Sequence, residues 1–484
     1  MSALLDGLPP SVLSLAYLVS ATLFITGLRE MSHPRTAARG NLVSSVGMVL
    51  AVGITVLWFD ILSPLVLLVA LVVGTAVGVW LATTVETTQM PQLVGLFNGL
   101  GGGASVLVAG AELVGRAGSA EAAALQSSVV TGAAATTGLI GAVTFCGSLV
   151  AAGKLHGLSE HPVHYAGERV LKPLVALVAV GAGVVLVLQP AAFGPVVRAD
   201  WVPAYWTLVL AASLLGVLLV VPIGGADMPV VIALLNACSG LAAATTGFVL
   251  DNSILVIAGT LVGASGMILT RIMCRAMNRS LGNVLFGGYA DVARRSDDAD
   301  DPYEGRVMST SPEEVEMLLD AARRVVIVPG YGMAVGQAQH AIAELARLLA
   351  ANGVDVAFGI HPVAGRMPGH MNVLLAEANV PYERLRELEA VNPTFAETDL
   401  VLVVGANDVV NPAALTDESS PIAGMPVLHV WEAETVVVSK RSLSPGYAGI
   451  PNPLFTRGNT YMLFGDAKET MQALVTEYKE RHSP

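Results

Sequence analysis

Nine long apolar stretches follow one another in the first part of the chain and constrain its fold more than any other feature. They lie at about 11–28, 43–59, 62–82, 92–114, 129–151, 171–189, 205–222, 228–248 and 254–273. Each is close to the ~20 residues that a helix needs to cross the ~30 Å hydrocarbon core of a bilayer. We therefore predict a multi-pass α-helical membrane domain over residues 1–285. The first stretch lacks the basic flank and cleavage site of a signal peptide, so we expect it to be retained.

Charged residues are concentrated after residue 285. That part contains 15 Lys/Arg and 27 Asp/Glu, whereas the part before it contains 11 of each, so the formal charge of -12 lies entirely in the second part. Residues 286–310 are Gly-led and rich in charge with no apolar period, which predicts a flexible hinge. Ser311, Pro312 and Glu314 then form the pattern of a capped helix start. These features predict a soluble domain over residues 311–484.

The soluble part begins with a dinucleotide-binding fingerprint. The apolar run 325–328 is typical of a buried parallel strand, and Gly330 and Gly332 would let the next turn fold tightly and approach a pyrophosphate. Such a glycine pattern is a weak signal by itself. Here helix-forming sequence follows to about Ala351, and residues 354–358 have the pattern of a second strand. This context predicts an α/β doubly wound, Rossmann-like parallel sheet.

Charge at the predicted ligand edge favours NADP(H) over NAD(H). An NAD-specific fold usually ends its second strand with an acidic residue that binds the ribose 2′-hydroxyl, but this strand leads into Gly359, Ile360 and His361. Lys440 and Arg441 lie at the carboxyl end of a later predicted strand, in a domain that is otherwise acidic. Arg binds phosphate in a bidentate manner and Lys supplies a point charge, so the pair suits a 2′-phosphate.

Basic residues in the loops predict the orientation in the membrane. One set of loops contains Arg29, Arg35, Arg39, Lys154, Arg169, Lys172, Arg271, Arg275 and Arg279, whereas the alternate set contains only Arg116 and Arg198. By the positive-inside rule, the first set is cytoplasmic. With nine spans, the N-terminus is then outside and the nucleotide domain is inside. The three cysteines lie in or at the end of spans, which suggests neither a disulfide framework nor a metal cluster.

Polar side chains within or beside the spans are candidates for a functional role. Asn98 and Asn236 would lie ~10 Å and ~13 Å from the same membrane edge at ~1.5 Å per residue, so both could face one water-filled half-channel. Glu86 would lie at its mouth. Asp227 lies in a Gly-rich connection between two spans, from which it could act on the nucleotide domain. The alternatives are a packing role for either amide and a helix cap before Pro229 for Asp227.

Six short motifs, spread in order over almost the whole chain, resemble those of one family. They are Gly224-Gly-Ala-Asp-Met-Pro-Val-Val231, Met277-Asn-Arg-Ser280, Pro329-Gly-Tyr-Gly-Met-Ala-Val335, Gly359-Ile-His-Pro-Val-Ala-Gly-Arg-Met-Pro-Gly-His370, Gly405-Ala-Asn-Asp408 and Ser439-Lys-Arg-Ser442. In them the chain is similar to the beta subunit of proton-translocating nicotinamide nucleotide transhydrogenase. The resemblance implies a membrane domain and an NADP(H)-binding domain on this chain, with NAD(H) bound by a partner alpha subunit.

The same resemblance implies an activity and a setting. The implied reaction is hydride transfer from NADH to NADP+, coupled to proton entry into the cytoplasm. The implied location is a bacterial inner membrane, where a dimer of alpha-beta units would be surrounded by lipid. No nucleic-acid partner is expected.

The resemblance also assigns roles to residues at the matching positions. It implies that Asp408 lies near the nicotinamide, that Lys440 and Arg441 bind the 2′-phosphate, and that the loop through Tyr447 forms a lid. Further cofactor contacts are implied for Gly330, Tyr331, Gly332, Ala334, Val335, Val363, Ala364, Gly365, Arg366, Met367, Pro368, Gly405, Ala406, Asn407, Val409, Gly424, Met425, Ser442, Asp466 and Ala467.

The chain departs from the family at the position of its favoured proton carrier. Many bacterial members have a histidine where this chain has Asn98, and none of the nine histidines here lies in a predicted span. Asn does not titrate near neutral pH, so a histidine of the partner subunit or ordered water would carry the proton. Protonation near Asn98 would then shift the connections that contain Asp227 and Arg279-Ser280 and open the lid.

Two other classes of function fit parts of the sequence. A membrane transporter or channel with a cytosolic NADP-sensing regulatory domain is the main alternative, and only the family resemblance opposes it. A quinone-linked NADPH dehydrogenase is opposed by the lack of a flavin or iron–sulfur signature and by the presence of only three cysteines. At single positions, Gly365 and Pro368 could simply shape a turn, and Tyr447 could pack against the sheet.

Overall fold

Two compact units make up the chain in the computed structural model. The structure describes residues 10–32, 35–58, 64–117, 128–158, 163, 165, 167–192, 201–286, 303 and 305–482. The first unit consists of Met1–His156, His164–Val221 and Ile232–Ile268, and the second of Gly157–Val163, Pro222–Val231 and Leu269–Pro484. Most of the hinge expected at 286–310 lies outside the described residues.

Long apolar helices occupy the part of the chain before residue 285. Among the described residues, nine helices have the length and hydropathy needed to cross a membrane. They are α1 (Pro10–Met31), α2 (Ala37–Trp58), α3 (Pro64–Thr84), α4 (Met90–Ala117), α5 (Ser128–Leu155), α6 (Glu168–Ala192), α7 (Trp201–Val220), α8 (Met228–Val249) and α9 (Ser253–Ala276). The nine predicted spans are thereby confirmed. A helix suits this setting because it satisfies its own backbone hydrogen bonds where no water is available.

Small residues allow close packing inside the first unit. A Cβ atom on Gly102 of α4 would lie 2.7 Å from the carbonyl oxygen of Gly141 on α5, and the reverse distance is the same. Nearby, the buried hydroxyl of Tyr205 on α7 donates to the carbonyl oxygen of Val106 at 2.7 Å. Close backbone approach of this kind is how helices associate in lipid. The lipid tails are as apolar as the helix surfaces, so no hydrophobic driving force brings the helices together and packing has to do so.

A seven-stranded parallel sheet forms the centre of the second unit. Its strands lie in the order β1-β7-β6-β5-β2-β3-β4, and all neighbours are parallel. The strands are β1 (Met308–Ser309), β2 (Arg324–Pro329), β3 (Asp355–Ile360), β4 (Leu385–Glu387), β5 (Leu400–Val404), β6 (Thr435–Lys440) and β7 (Thr460–Phe464). The strand order reverses between β2 and β5, as in the doubly wound fold that was predicted. Ligands of such sheets bind beyond the carboxyl ends of the strands at this reversal.

Helices cover both faces of the sheet. The helices of the second unit are α10 (Leu281–Phe286), which precedes the sheet in the chain, and then α11 (Pro312–Ala321), α12 (Tyr331–Val335), α13 (Gln339–Ala351), α14 (His370–Glu377), α15 (Leu388–Val391), α16 (Ala413–Thr416) and α17 (Ala467–His482). Along β2, Val325 and Ile327 join one apolar core and Val326 and Val328 join the other, because successive side chains of a strand point to opposite faces. The capping box predicted at Ser311 is present at the start of α11.

The helix after the fingerprint differs from the sequence prediction, which continued it to about Ala351. The structure divides it into α12 and α13 at residues 336–338, where Gln337 has a φ of 51°. A Cβ atom on Gly336 would lie 3.1 Å from the Cβ atom of Ala467, the first residue of α17. The break therefore lies where α17 begins, a contact between residues far apart in the sequence.

Candidate functional site

Backbone segments cross closely at the point where the strand order reverses. A Cβ atom on Gly330 would lie 2.4 Å from the carbonyl oxygen of Gly405, and one on Gly405 would lie 2.4 Å from the nitrogen of Met333. Gly405 has a φ of 67°, which disfavours any side chain. The N–H of Gly332 donates to the carbonyl oxygen of Gly405 at 2.8 Å. Sequence analysis assigned Gly330 and Gly332 to the approach of a pyrophosphate. In the structure, these glycines also allow two loops to cross closely.

The ends of four strands form one pocket. It has a volume of about 220 Å³ and lies beyond β2, β5, β6 and β7. Eight of its lining residues were predicted from the sequence: Gly332, Val335, Gly405, Lys440, Arg441, Ser442, Asp466 and Ala467. Positions that are more than a hundred residues apart in the sequence therefore share one cavity.

Sequence reasoning missed several residues of this pocket. They are Gly336, Ser439, Ser444, Pro445 and Gly465. Each lies within two residues of a predicted residue, so proximity in sequence is the signal that would have found them. Gly465 also has a φ of 156°, which a glycine adopts without strain.

Positive charge is concentrated at the pocket. The ammonium of Lys440 donates to the carbonyl oxygen of Ser444 and lies 5.2 Å from the centroid of the Phe455 ring. Burial lowers the pKa of Lys440, while the Asp408 carboxylate acts in the opposite direction. Arg441 is exposed to solvent. Helix α17 begins beside the same pocket, and a helix N-terminus favours anions. This arrangement suits an anionic group such as a phosphate.

The acidic residue in the pocket wall is engaged by its own helix. Oδ1 of Asp466 accepts a hydrogen bond from the N–H of Lys468 at 2.9 Å. This is the contact of an N-cap residue, which satisfies one of the free N–H groups at the start of a helix. The Asp466 carboxylate therefore caps α17, and the nearby cations are left to act on an anionic ligand.

Asp408 anchors the segment that contains Tyr447. Its Oδ2 accepts from the N–H of Ala448 at 3.0 Å. Its Oδ1 is buried and has no hydrogen-bond partner among the described residues. Burial raises the pKa of Asp408, opposed by the Ala448 N–H and by Lys440. A Cβ atom on Gly446 would lie 2.5 Å from Oδ1, so the segment passes directly over the carboxylate.

A guanidinium between two aromatic rings connects this segment to the fingerprint. Nε of Arg366 donates to the hydroxyl of Tyr447 at 3.0 Å. The guanidinium carbon lies 4.5 Å from the centroid of the Tyr331 ring and 6.0 Å from that of Tyr447. The two tyrosine rings are themselves 6.0 Å apart. Cation–π attraction of this type is worth about 0.5–1 kcal/mol at exposed sites, enough to favour contact without fixing it permanently.

Two buried histidines shape the segment 361–370, a role that sequence reasoning missed. Nδ1 of His361 accepts from the N–H of Val363 at 3.2 Å, and its Nε2 lies 2.7 Å from the carbonyl oxygen of Pro426. These partners assign the proton to Nε2. Nδ1 of His370 accepts from the N–H of Arg366 at 3.0 Å. Burial lowers the pKa of each histidine to about 4, so both rings are neutral at physiological pH.

These histidines predict a loss of stability on acidification. Each has a folded pKa of about 4 against an ordinary value of 6.5. The unfolded chain binds more protons between these values, so the segment 361–370 will be less protected from hydrogen exchange, after correction for intrinsic rates, as the pH falls from 6.5 towards 4. The expected slope is about 1.4 kcal/mol per pH unit for each ring. His361→Gln will remove roughly half of this dependence, whereas the exposed His340→Gln will leave it unchanged. Equal slopes in all three proteins would contradict the assignment.

Several predicted contact residues have buried side chains. They are Ala334, Ala364, Met367, Ala406 and Met425. Val409 also packs against one of the two cores of the sheet. These residues therefore support the walls of the site, and the cofactor contacts expected of them stay predictions.

Asn98 and Asn236 are associated with the same helix. Asn98 on α4 is buried, and its Nδ2 donates to the carbonyl oxygen of Ile232 on α8 at 3.4 Å. Asn236 is half-buried and lies four residues after Ile232, hence on the same face of α8 one turn further on. Glu86 is exposed, just before the turn Thr87–Gln89 that leads into α4. The two amides thus share one helix interface, and a water-filled path along it stays a prediction.

Asp227 in the second unit forms an ion pair that sequence analysis did not predict. Its Oδ2 lies 3.3 Å from Nη1 of Arg279, and its side chain is 3% exposed. Oδ1 is buried and has no hydrogen-bond partner among the described residues. Burial raises the pKa of Asp227 to about 6, although Arg279 acts to lower it. Ser280, next to Arg279, accepts from the N–H of Asn283 through its hydroxyl at 3.1 Å.

These features define a membrane-bound protein with a dinucleotide-type domain. Residues 13–477 match the family described as "NAD(P) transhydrogenase beta subunit". Two relatives named "NAD(P) transhydrogenase subunit beta", one from Rhodospirillum rubrum and one from a particular strain of that species, are each 46% identical over 468 residues, which is 95% of this chain and 97% of theirs. The chain belongs to the NAD(P) transhydrogenase beta subunit family. It is accordingly one subunit of an enzyme whose other component is an alpha subunit, and the transporter alternative is not supported.

Proposed function

We propose that this chain binds NADP(H) beyond the carboxyl ends of its parallel strands and exchanges hydride with NAD(H) held by the alpha subunit. The observation that carries the proposal is the pocket that joins Lys440 and Arg441 to the fingerprint turn. Bound nicotinamide supplies the hydride chemistry, so the protein contributes position and gating. The proposed direction is from NADH to NADP+, coupled to proton entry into the cytoplasm.

The pocket fits the 2′-phosphate of NADP(H) better than the free ribose of NAD(H). Strand β3 ends at Ile360 without an acidic residue to accept from a 2′-hydroxyl. The carboxylate of Asp466 is engaged by the N–H of Lys468. In the proposal, Lys440 and Arg441 bind the phosphate, the turn 330–335 and the segment 363–368 lie along the nucleotide, and Asp408 lies near the nicotinamide.

The Tyr447 segment is proposed to act as the lid of this site. Arg366 holds the Tyr447 hydroxyl, and Asp408 holds the next residue through the N–H of Ala448. Each of these contacts is a hydrogen bond with one charged partner, worth about 1.5–3 kcal/mol. A lid held by so few contacts can open during nucleotide exchange, and its closure would exclude water from the reacting carbon atoms.

Coupling to protons is proposed to act through Asp227. Because its pKa lies at about 6, this carboxyl can change charge near neutral pH. Loss of the charge would weaken the ion pair with Arg279, which lies just after the end of the last span. Coupling requires that the two protonation states of Asp227 differ in affinity for NADP(H). By reciprocity, bound nucleotide must then change the free energy of protonation of Asp227 by the same amount, and so shift its pKa. Asn98 and Asn236 would line the path, with a partner histidine or water as the carrier.

The remaining parts of the proposal concern assembly and orientation. Residues 1–285 would form the proton-translocating membrane domain, 286–310 a hinge, and 311–484 the NADP(H)-binding domain. The basic loops favour a cytoplasmic nucleotide domain with the N-terminus outside a bacterial inner membrane. Two alpha-beta units would form the complete enzyme in lipid.

Hydride transfer between two nucleotides is the expected result when both subunits are present. Membranes that contain this chain and its alpha subunit will reduce a thio-NADP analogue with NADH, which is measured by absorbance. Membranes with this chain alone will not do so, because the second nucleotide site is missing. A transporter with a sensing domain would form no reduced analogue in either preparation, and that outcome would refute the proposed function.

A further inference from the structure

Asn278 ends the last membrane-type helix in an unusual backbone conformation. Its φ is 49°, and the N–H of the next residue, Arg279, donates to the carbonyl oxygen of Cys274 at 2.9 Å. Asn is one of the few residues that adopt the left-handed region readily, and helices often end this way. The helix end accounts for the backbone of Asn278 and leaves its side chain to be explained.

The side-chain amide of Asn278 reaches a loop of the α/β domain within the second unit. Its Nδ2 donates to the carbonyl oxygen of Ala423 at 2.8 Å. A Cβ atom on Gly424 would lie only 2.4 Å from the same Nδ2, and Gly424 has a φ of 71°. A glycine is therefore required where the amide meets the loop. The contact with Asn278 thus gives Gly424 a structural role, and the cofactor contact expected of Gly424 stays a prediction.

The loop that receives Asn278 touches two parts of the nucleotide site. Ile422 and Met425 are buried in one apolar cluster with Ala448, the residue after the proposed lid tyrosine. The carbonyl oxygen of Pro426 lies 2.7 Å from Nε2 of His361, at the start of the segment that would lie along the nucleotide. A displacement of residues 422–426 would move both the lid and that segment.

We propose that Asn278 is a positioning residue for nucleotide release: its amide holds the loop 422–426 against the lid and links the end of the last span to the nucleotide site. The segment 278–279 thus makes two contacts, Arg279 with Asp227 and Asn278 with Ala423. Movement of Arg279 is passed to the loop through its neighbour in sequence. Since an amide does not titrate, this contact transmits position and not charge. The inference rests on the proposed function.

Substitutions that preserve the left-handed backbone test the amide alone. Asn278→Gly removes the side chain, and Asn278→Asp replaces the donor by a carboxylate that faces the carbonyl oxygen of Ala423. In membranes containing both subunits, release of NADP(H) will become about 3- to 10-fold faster in Asn278→Gly, as expected for one lost hydrogen bond, and faster still in Asn278→Asp. Single-turnover hydride transfer between nucleotides already bound will not change.

Gly424 provides an independent test with a matched control. Gly424→Ala brings a methyl group into the amide, whereas Gly353→Ala, between α13 and β3, creates backbone strain at a φ of 87° with nothing within 4 Å of the new atom. Gly424→Ala will speed release and Gly353→Ala will not. In the Asn278→Gly background the effect of Gly424→Ala will shrink to that of Gly353→Ala, because the clash is gone.

Three outcomes would each count against one of two claims, the proposed function or the positioning role of Asn278. If the unaltered chain with its alpha subunit neither binds NADP(H) nor transfers hydride, the proposed function fails. If that complex is active and both Asn278 variants release NADP(H) at the unaltered rate, the positioning role is refuted, whatever the change in thermal stability. Additive effects of Asn278→Gly and Gly424→Ala would also refute it.

Discussion

Replacing Lys440 and Arg441 together by alanine will weaken NADP(H) binding to the full chain by about 100- to 10,000-fold. Each cation is expected to make a charge-assisted contact with the 2′-phosphate, worth about 1.5–3 kcal/mol. Lys440 is partly buried at the pocket and Arg441 is exposed beside it, so the phosphate would lose both a desolvated and a solvated partner. Calorimetry with NADPH measures the effect, and NADH binding will hardly change.

The matched control removes the same two residue types from exposed positions outside the pocket. Lys468→Ala with Arg457→Ala changes the net charge equally, and neither side chain lines the cavity. NADPH affinity in this control will stay within about twofold, since surface charges at a distance are screened by salt. Unaltered NADPH affinity in the Lys440 and Arg441 double variant would show that the phosphate binds elsewhere.

Substitution of Asp227 will abolish proton-coupled turnover while NADP(H) remains bound. Asp227→Asn removes the charge with little change of shape, and Asp227→Ala removes the side chain. Both variants lack the carboxyl whose change of charge is proposed to drive coupling, so we expect coupled turnover to fall by at least about 100-fold. Loss of one partner of a buried ion pair will also cost about 3–5 kcal/mol of stability. Arg279 is then left mostly buried without this carboxylate. Proton uptake into inverted vesicles during reverse transhydrogenation is the measurement.

Asp251 supplies a control of the same chemistry in another connection between spans. It lies between α8 and α9, is exposed, and has a φ of 53°, which Asn tolerates. Asp251→Asn should pump normally. Full pumping by Asp227→Ala, or a complex in which no titratable group lies within reach of Asn98, would favour a path carried by water alone.

Asn98→His is expected to be tolerated, because it restores a group with a pKa near 6.5.

Local patterns were sufficient to predict the membrane spans, the strand β2 and the start of α11. The run 325–328 is fully apolar because β2 is buried on both faces, and such a run is visible in sequence. The spans were equally clear, since their length is dictated by the bilayer. The capping box at Ser311 depends on residues within four positions of one another. Each of these signals is complete within a short window of sequence.

Contacts between distant residues were not predictable in the same way. Asp227 and Arg279 are separated by a whole helical hairpin, and nothing near either residue specifies the other. The crossing of Gly332 with Gly405 depends on how β2 and β5 are placed side by side. The neutral state of His361 follows from its burial, which outweighs the opposing effect of the Pro426 carbonyl on the pKa, and the surrounding sequence reveals neither. Asp227 and Gly332 were candidates from the sequence pattern itself, and Arg279 and Gly405 from the family resemblance, but neither source indicated which residues would meet.

The four strand ends that form the pocket bring together residues from Gly332 to Ala467. No short part of the chain contains the site, so a partly unfolded domain has little affinity for the nucleotide. Any ligand bound in the pocket therefore stabilises the whole sheet, by about 2.7 kcal/mol when its concentration is 100 times the Kd. In the proposed mechanism, the bound NADP(H) therefore also stabilises the folded domain. Each release of nucleotide removes this stabilisation, so the domain is least stable while the pocket is empty.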